Sequence, residues 1–134
     1  FFIGPAVDIT RMTALKLGDI LTEIRIQKKW SGAKYYFEKI ADRETWDFAL
    51  VNIAMVVKTS GSKVSDVRVA CGGVQCTPRR LTSVEDLMKG ETVGAEMERL
   101  AKRVAAQGAK ALNFNHFKIP LMGNLAARAV RSLT

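Results

Sequence analysis

Phe48-Ala49-Leu50-Val51-Asn52-Ile53-Ala54-Met55-Val56-Val57, then Thr59-Ser60-Gly61-Ser62, then Val64-Ser65-Asp66-Val67-Arg68-Val69-Ala70-Cys71: the reading of this stretch decides the fold. Its first run is almost wholly apolar, with β-branched residues spread through it. Val51, Ile53, Met55 and Val57 share one face of a strand and Asn52, Ala54 and Val56 the other, as in a central strand covered on most of both sides. Thr59 to Ser62 is turn chemistry, and the second run alternates, with Val67, Val69 and Cys71 opposite Asp66, Arg68 and Ala70. The two runs make an antiparallel hairpin.

Upstream, Ile20, Thr22, Ile24 and Ile26 alternate with Leu21, Glu23 and Arg25, which predicts a strand over about 20–27. The aromatic-rich run Tyr35 to Ile40 predicts a second, short one. Downstream, Gly72-Gly73 ends the hairpin where a side chain would obstruct close backbone approach, and Thr77-Pro78 leads out of the sheet. The period then becomes helical. Thr82 and Glu85 have capping-box spacing, and Lys89-Gly90 supplies a cation and a C′ glycine. A second helix, capped near Thr92, carries the stripe Met97, Leu100, Ala101, Val104 and Ala105 and stops at Gly108. A third repeats the stripe with Met122, Leu125, Ala126, Ala129, Val130 and Leu133. Strands followed by helices imply an α+β two-layer sandwich, an antiparallel sheet of three to four strands with three helices packed on it.

The chain has 134 residues, 48% hydrophobic and 25% charged, enough for one core. No apolar run approaches the roughly 18 residues of a membrane span. The opening Phe1-Phe2-Ile3-Gly4-Pro5 reads as neither a signal peptide nor a natural start. Cys71 and Cys76 lie five apart, which reads as two reduced thiols in a cytoplasmic protein. One histidine, His116, far from both, offers no zinc set and no local catalytic pair. Cys76 beside Arg79 and Arg80 is a candidate for a thiol lowered by nearby cations, although most cysteines of this kind are packed or merely exposed. Neither a P-loop nor a dinucleotide fingerprint is present. The formal charge is +8, and from Glu98 onward seven Lys or Arg face one acid, a net +6 on the C-terminal helices. That basic face is read first as solvated or docked on an acidic neighbour. The alternative is a small basic binding module for nucleic acid or an acidic protein, disfavoured by the lack of interleaved aromatics and of any nucleic-acid motif.

Several blocks taken together resemble a known family: Phe1 to Pro5, Leu15 to Ile24, Lys34 to Lys39, Arg43, Trp46 to Ala54, Gly72-Gly73-Val74, Thr77-Pro78 and Asn115 to Leu121. In this order they are similar to the C-terminal part of the FAD-binding medium subunit of molybdenum hydroxylases, a family that includes xanthine dehydrogenase and aerobic carbon monoxide dehydrogenase. The resemblance implies a tail of an FAD-binding domain over 1–14 and a flavoprotein C-terminal α+β domain over 15–134. It implies FAD held mainly by upstream subdomains, and none expected in this fragment alone. Partners would be the upstream FAD-binding domain and subunits or domains holding the molybdenum cofactor and iron–sulfur clusters. The fragment would be part of an oxidoreductase and inactive by itself. Two residues carry across. Leu21 matches an aliphatic position, and Lys39 a lysine, that reach the flavin in the family. An apolar side chain can cover the ring, and an ammonium at its pyrimidine edge favours the charge gained on reduction. Against these roles, Leu21 also reads as a strand-core residue and Lys39 as a solvated strand lysine. Arg43, Trp46 and Asp47 are expected to order the corner between strands. Gln27 departs from the family's usual proline.

Overall fold

The computed structural model describes residues 1–134. The hairpin forms as β2 (Val51–Ser60) and β3 (Lys63–Gly72), closed at Gly61, whose φ of 59° is cheap only for glycine. β1 (Lys34–Ile40) pairs antiparallel with β2, and the two-residue β4 (Arg79–Arg80) with β3, giving the order β1-β2-β3-β4. The alternation read in the sequence becomes two faces. Val51, Ile53, Met55 and Val57 join Val67, Val69 and Cys71 on the inner face, all buried. Opposite them Tyr35, Phe37 and Lys39 continue the row of Asn52, Ala54, Val56, Asp66, Arg68 and Ala70 on the outer face.

Three helices cover the inner face: α1 (Thr82–Met88), α2 (Ala95–Ala105) and α3 (Lys118–Arg131). α3 lies on β2 and β1, α1 on β3, and α2 reaches the core by packing on α3 and α1 rather than directly on the sheet. The α2–α3 crossing is close because Gly123 has no side chain: a Cβ there would stand 2.7 Å from the Lys102 carbonyl oxygen. Met122 contributes its sulfur, 3.7 Å from the Cys71 thiol, to a core of 19 buried residues. No helix is long and apolar enough to cross a membrane.

Four elements depart from expectation. Residues 20–27 form no strand; they are exposed, and Ile20 to Ile26 make no backbone hydrogen bond. The fourth strand is instead Arg79–Arg80, after a connection expected to have left the sheet. Thr82 makes no capping box: Leu81 stands at the N-cap, and Glu85 is drawn to Arg80 and Val69. Thr92 does not cap α2, since it bridges Lys63 and the helix starts after Gly94. The stops at Gly90 (φ 86°) and Gly108 (φ 75°) form as read.

Candidate functional site

β1 places Lys39 on the outer face, away from the helices, and the register sets it beside Asn52 and then Gly72 across the sheet. The ammonium donates to the Asp47 carbonyl at 2.6 Å. Asp47 belongs to the corner between β1 and β2. There its carboxylate accepts the Arg43 amide at 2.9 Å, the Arg43 guanidinium donates to the Trp46 carbonyl at 2.7 Å, and the Leu50 amide returns to the Ile40 carbonyl at 2.7 Å. These bonds hold Trp46 at φ 53°, a backbone cost for a bulky residue, with its ring 94% exposed. Arg43 and Asp47 thus order the corner as anticipated.

Gly72 and Gly73 let this end of the sheet close. A Cβ on Gly72 would meet the Asn52 side-chain oxygen at 2.7 Å, and one on Gly73, already at φ 77°, the Leu50 carbonyl oxygen at 2.7 Å. Lys118 then donates to the Gly73 carbonyl at 2.8 Å and pins the start of α3 to the same end. Lys39 therefore stands in a row of ammonium, side-chain amide and bare backbone, next to exposed Phe37 and Tyr35. A shallow apolar hollow lined by Tyr35, Phe37, Ala54, Val56, Ala70 and Arg80 extends from it along the outer face. Asn52 was legible only as a polar interruption of an apolar strand, and its place beside Lys39 needed the register.

Leu21 lies in the segment 20–27, half exposed, in a hollow with Phe1, Phe2, Glu23 and Ile24. Lys39 lines a separate hollow that runs to Glu44. Residues 3–12 fold against Cys76, in the connection from β3 to β4. Both cysteines are free thiols. Cys71 is buried, which pushes its thiol up to about 11, while Cys76 is exposed. His116 is exposed, with no hydrogen bond or ion pair to its ring, and no three His, Cys, Asp or Glu gather as a metal set.

At the far edge a carboxylate replaces a missing strand. β4 is too short to pair with Val69, and Glu85 Oε1 accepts the Val69 amide at 2.9 Å and Arg80 Nε at 2.7 Å. Burial pushes this carboxyl up. The Arg80 and Val69 hydrogen bonds and the charges of Arg80 and Arg68 outweigh it and hold the pKa below the ordinary glutamate value.

An exposed, partly aromatic sheet face carries the tethered ammonium of Lys39 and is backed by a single helical layer. Residues 35–133 match the CO dehydrogenase flavoprotein C-terminal domain, and the chain belongs to that family. It is 33% identical over 113 residues to the nicotine 6-hydroxylase medium subunit of Paenarthrobacter nicotinovorans, covering 84% of this chain and 36% of that one. Against the carbon monoxide dehydrogenase medium chain of Hydrogenophaga pseudoflava it is 28% identical, covering 98% of this chain and 45% of the relative. The solved structure of the H. pseudoflava enzyme superimposes with a TM-score of 0.67 at 27% identity, over 75% of this chain and 36% of that one. The FAD-binding subunit of an Escherichia coli aldehyde oxidoreductase is 33% identical over 73 residues, 54% of this chain and 21% of that one. The chain thus spans less than half the length of the relatives it matches.

Proposed function

We propose that this domain closes one side of the flavin pocket in the FAD-containing medium subunit of a molybdenum hydroxylase. The parent subunit passes electrons between iron–sulfur centres and an external acceptor through FAD, while partner subunits or domains hold the molybdenum cofactor and the iron–sulfur clusters. The observation that carries the reading is the placement of Lys39: on the sheet face turned from the helices, tethered through Asp47 and flanked by Asn52 and the bare backbone of Gly72. Those groups fit one edge of a flavin, which offers carbonyl oxygens and ring nitrogens to donors. They do not fit a whole FAD, since no loop of the chain cradles a pyrophosphate. Lys39 holds the pyrimidine edge and Leu21 covers the ring, each acting with walls supplied by the flavin-binding region of the subunit. The domain alone is inactive and binds FAD poorly, because one wall cannot recover the cost of ordering the ligand. Two free thiols agree with a cytoplasmic setting.

FAD titration of the whole subunit tests this. Lys39→Ala should weaken FAD by about 10-fold, the loss expected for one charge-assisted hydrogen bond, and Lys39→Arg should restore part of it. Equal affinity in all three proteins would remove Lys39 from the pocket. The basic C-terminal helices give a nucleic-acid reading little support. Arg99, Arg128 and Arg131 are engaged with Glu96, Glu38 and Glu98, and Lys118 with Gly73, which leaves few free cations to track a phosphate backbone.

A further inference from the structure

One polar side chain interrupts the apolar run of β2, and it has no partner. Asn52 is half-buried on the outer face of a strand paired on both sides. Its carboxamide makes no hydrogen bond within the protein and keeps access to solvent. Asparagine is depleted in strands, and polar groups sheltered by a fold ordinarily find a partner. An unpaired carboxamide in the middle of a sheet is therefore a group with hydrogen bonds left to give.

The register surrounds it with a particular set of neighbours. Lys39 stands on one side and Gly72 on the other. The carboxamide lies over the Gly72 backbone: a Cβ there would be 2.7 Å from Asn52 Oδ1 and 3.2 Å from Nδ2. The next row along the sheet is Phe37, Ala54 and Ala70, and its two alanines keep the surface low beside the carboxamide. A low floor with a polar rim suits a planar ring that carries its hydrogen-bonding groups on one edge. The pyrimidine edge of a flavin is such an edge, with an N–H at N3 between two carbonyls. Lys39 donates to the Asp47 carbonyl and has further N–H groups, but an ammonium only donates, so it can serve a carbonyl and not the N3–H. Asn52 supplies the side-chain acceptor that this row otherwise lacks. The donor beside that oxygen allows paired bonds of the kind by which asparagine reads the edge of adenine.

We propose that Asn52 recognises the N3 position of the flavin, its carboxamide oxygen accepting the N3–H and its NH2 group donating to one adjoining carbonyl, while Lys39 serves the other. The inference rests on the flavin-pocket reading and adds to it the residue that selects for the N3 proton. Gly72 belongs to the same arrangement, because a side chain there would displace the carboxamide.

Titration of the FAD-depleted whole subunit with FAD, and with FAD methylated at N3, tests the assignment. The parent should bind FAD at least about 10-fold more tightly than the methylated analogue, the loss expected when a hydrogen bond is removed and its partner left unpaired. Asn52→Leu, close in volume and without hydrogen-bonding groups, should weaken FAD by about 10-fold and bind the two flavins nearly alike. A parent without the preference, or an Asn52→Leu subunit that keeps it, overturns the proposal. If Lys39→Ala still weakens FAD in the same assay, the pocket reading survives that result. An Asn52→Leu subunit that loses the preference while Lys39→Ala binds FAD normally does the reverse, upholding Asn52 and removing Lys39. Gly72→Ala provides a second variant should Asn52→Leu fail to fold. The atoms nearest its new methyl all belong to the movable carboxamide, so its melting temperature should stay near the parent's while the preference for FAD falls. A folded Gly72→Ala subunit with the full preference contradicts the proposal.

Discussion

Glu85 shows how much can rest on one side chain. It satisfies the amide that the short β4 cannot reach and neutralises Arg80 at a nearly buried position. Glu85→Ala should cost about 1–3 kcal/mol in urea unfolding, the usual penalty for leaving a buried donor unpaired. Glu85→Gln keeps an acceptor for Val69 and should cost less. The pH dependence follows from the depressed carboxyl: its contribution is complete above the unfolded glutamate pKa of about 4.5 and fades as pH falls through the lower folded value. Stability of the parent chain should therefore drop on acidification below about pH 4.5, and Glu85→Gln should flatten that part of the curve. Gly73 is the second such residue. Gly73→Ala combines a positive φ with a 2.7 Å approach to the Leu50 carbonyl oxygen and should destabilise by about 1–3 kcal/mol. The Gly72-Gly73 pair announced close approach in the sequence. Glu85 did not announce its role, because Thr82 three residues before it satisfied a capping pattern, and only the short β4 reveals that Val69 needed its oxygen more.

The elements whose own side chains supplied both the periodicity and its partner were legible. β2 and β3 each present an apolar face to the other's neighbours, and α3 carries its stripe from Met122 to Val130 into that same core. The segment 20–27 had the periodicity of a strand and lacked the partner, since alternation reports what a strand would bury and not whether an edge is within reach. β4 was the converse case: two arginines have no strand signature, and they pair because the chain passes β3 on its way to α1. The helical layer depends on Gly123. Gly123→Ala should raise intrinsic helix propensity by about 1 kcal/mol, yet the new methyl meets backbone of α2 at 2.7 Å. Overpacking of this kind costs about 1–3 kcal/mol, so the net effect should be a lower unfolding midpoint, and an unchanged or higher one would show that α2 can shift freely.

Taken whole, the molecule has one finished face and one open one. The inner face is sealed by three helices, and the outer face keeps Tyr35, Phe37 and Trp46 in solvent around a tethered Lys39. The family was legible from ordered blocks of sequence. The row formed by Lys39, Asn52 and Gly72 was not, because it is made by register between three strands. Charge told less than its magnitude promised, since Arg128 and Arg131 of the basic helices serve in pairs with Glu38 and Glu98 that tie α3 to β1 and α2. The central claim is that the open face meets the flavin through Lys39. Its most direct test is the two-electron midpoint potential of FAD in the whole subunit, compared between the parent and Lys39→Ala. Loss of a cation at the pyrimidine edge should make the potential more negative by about 30 mV, which corresponds to about 1.4 kcal/mol for a two-electron couple. An unchanged potential in the variant would contradict the claim.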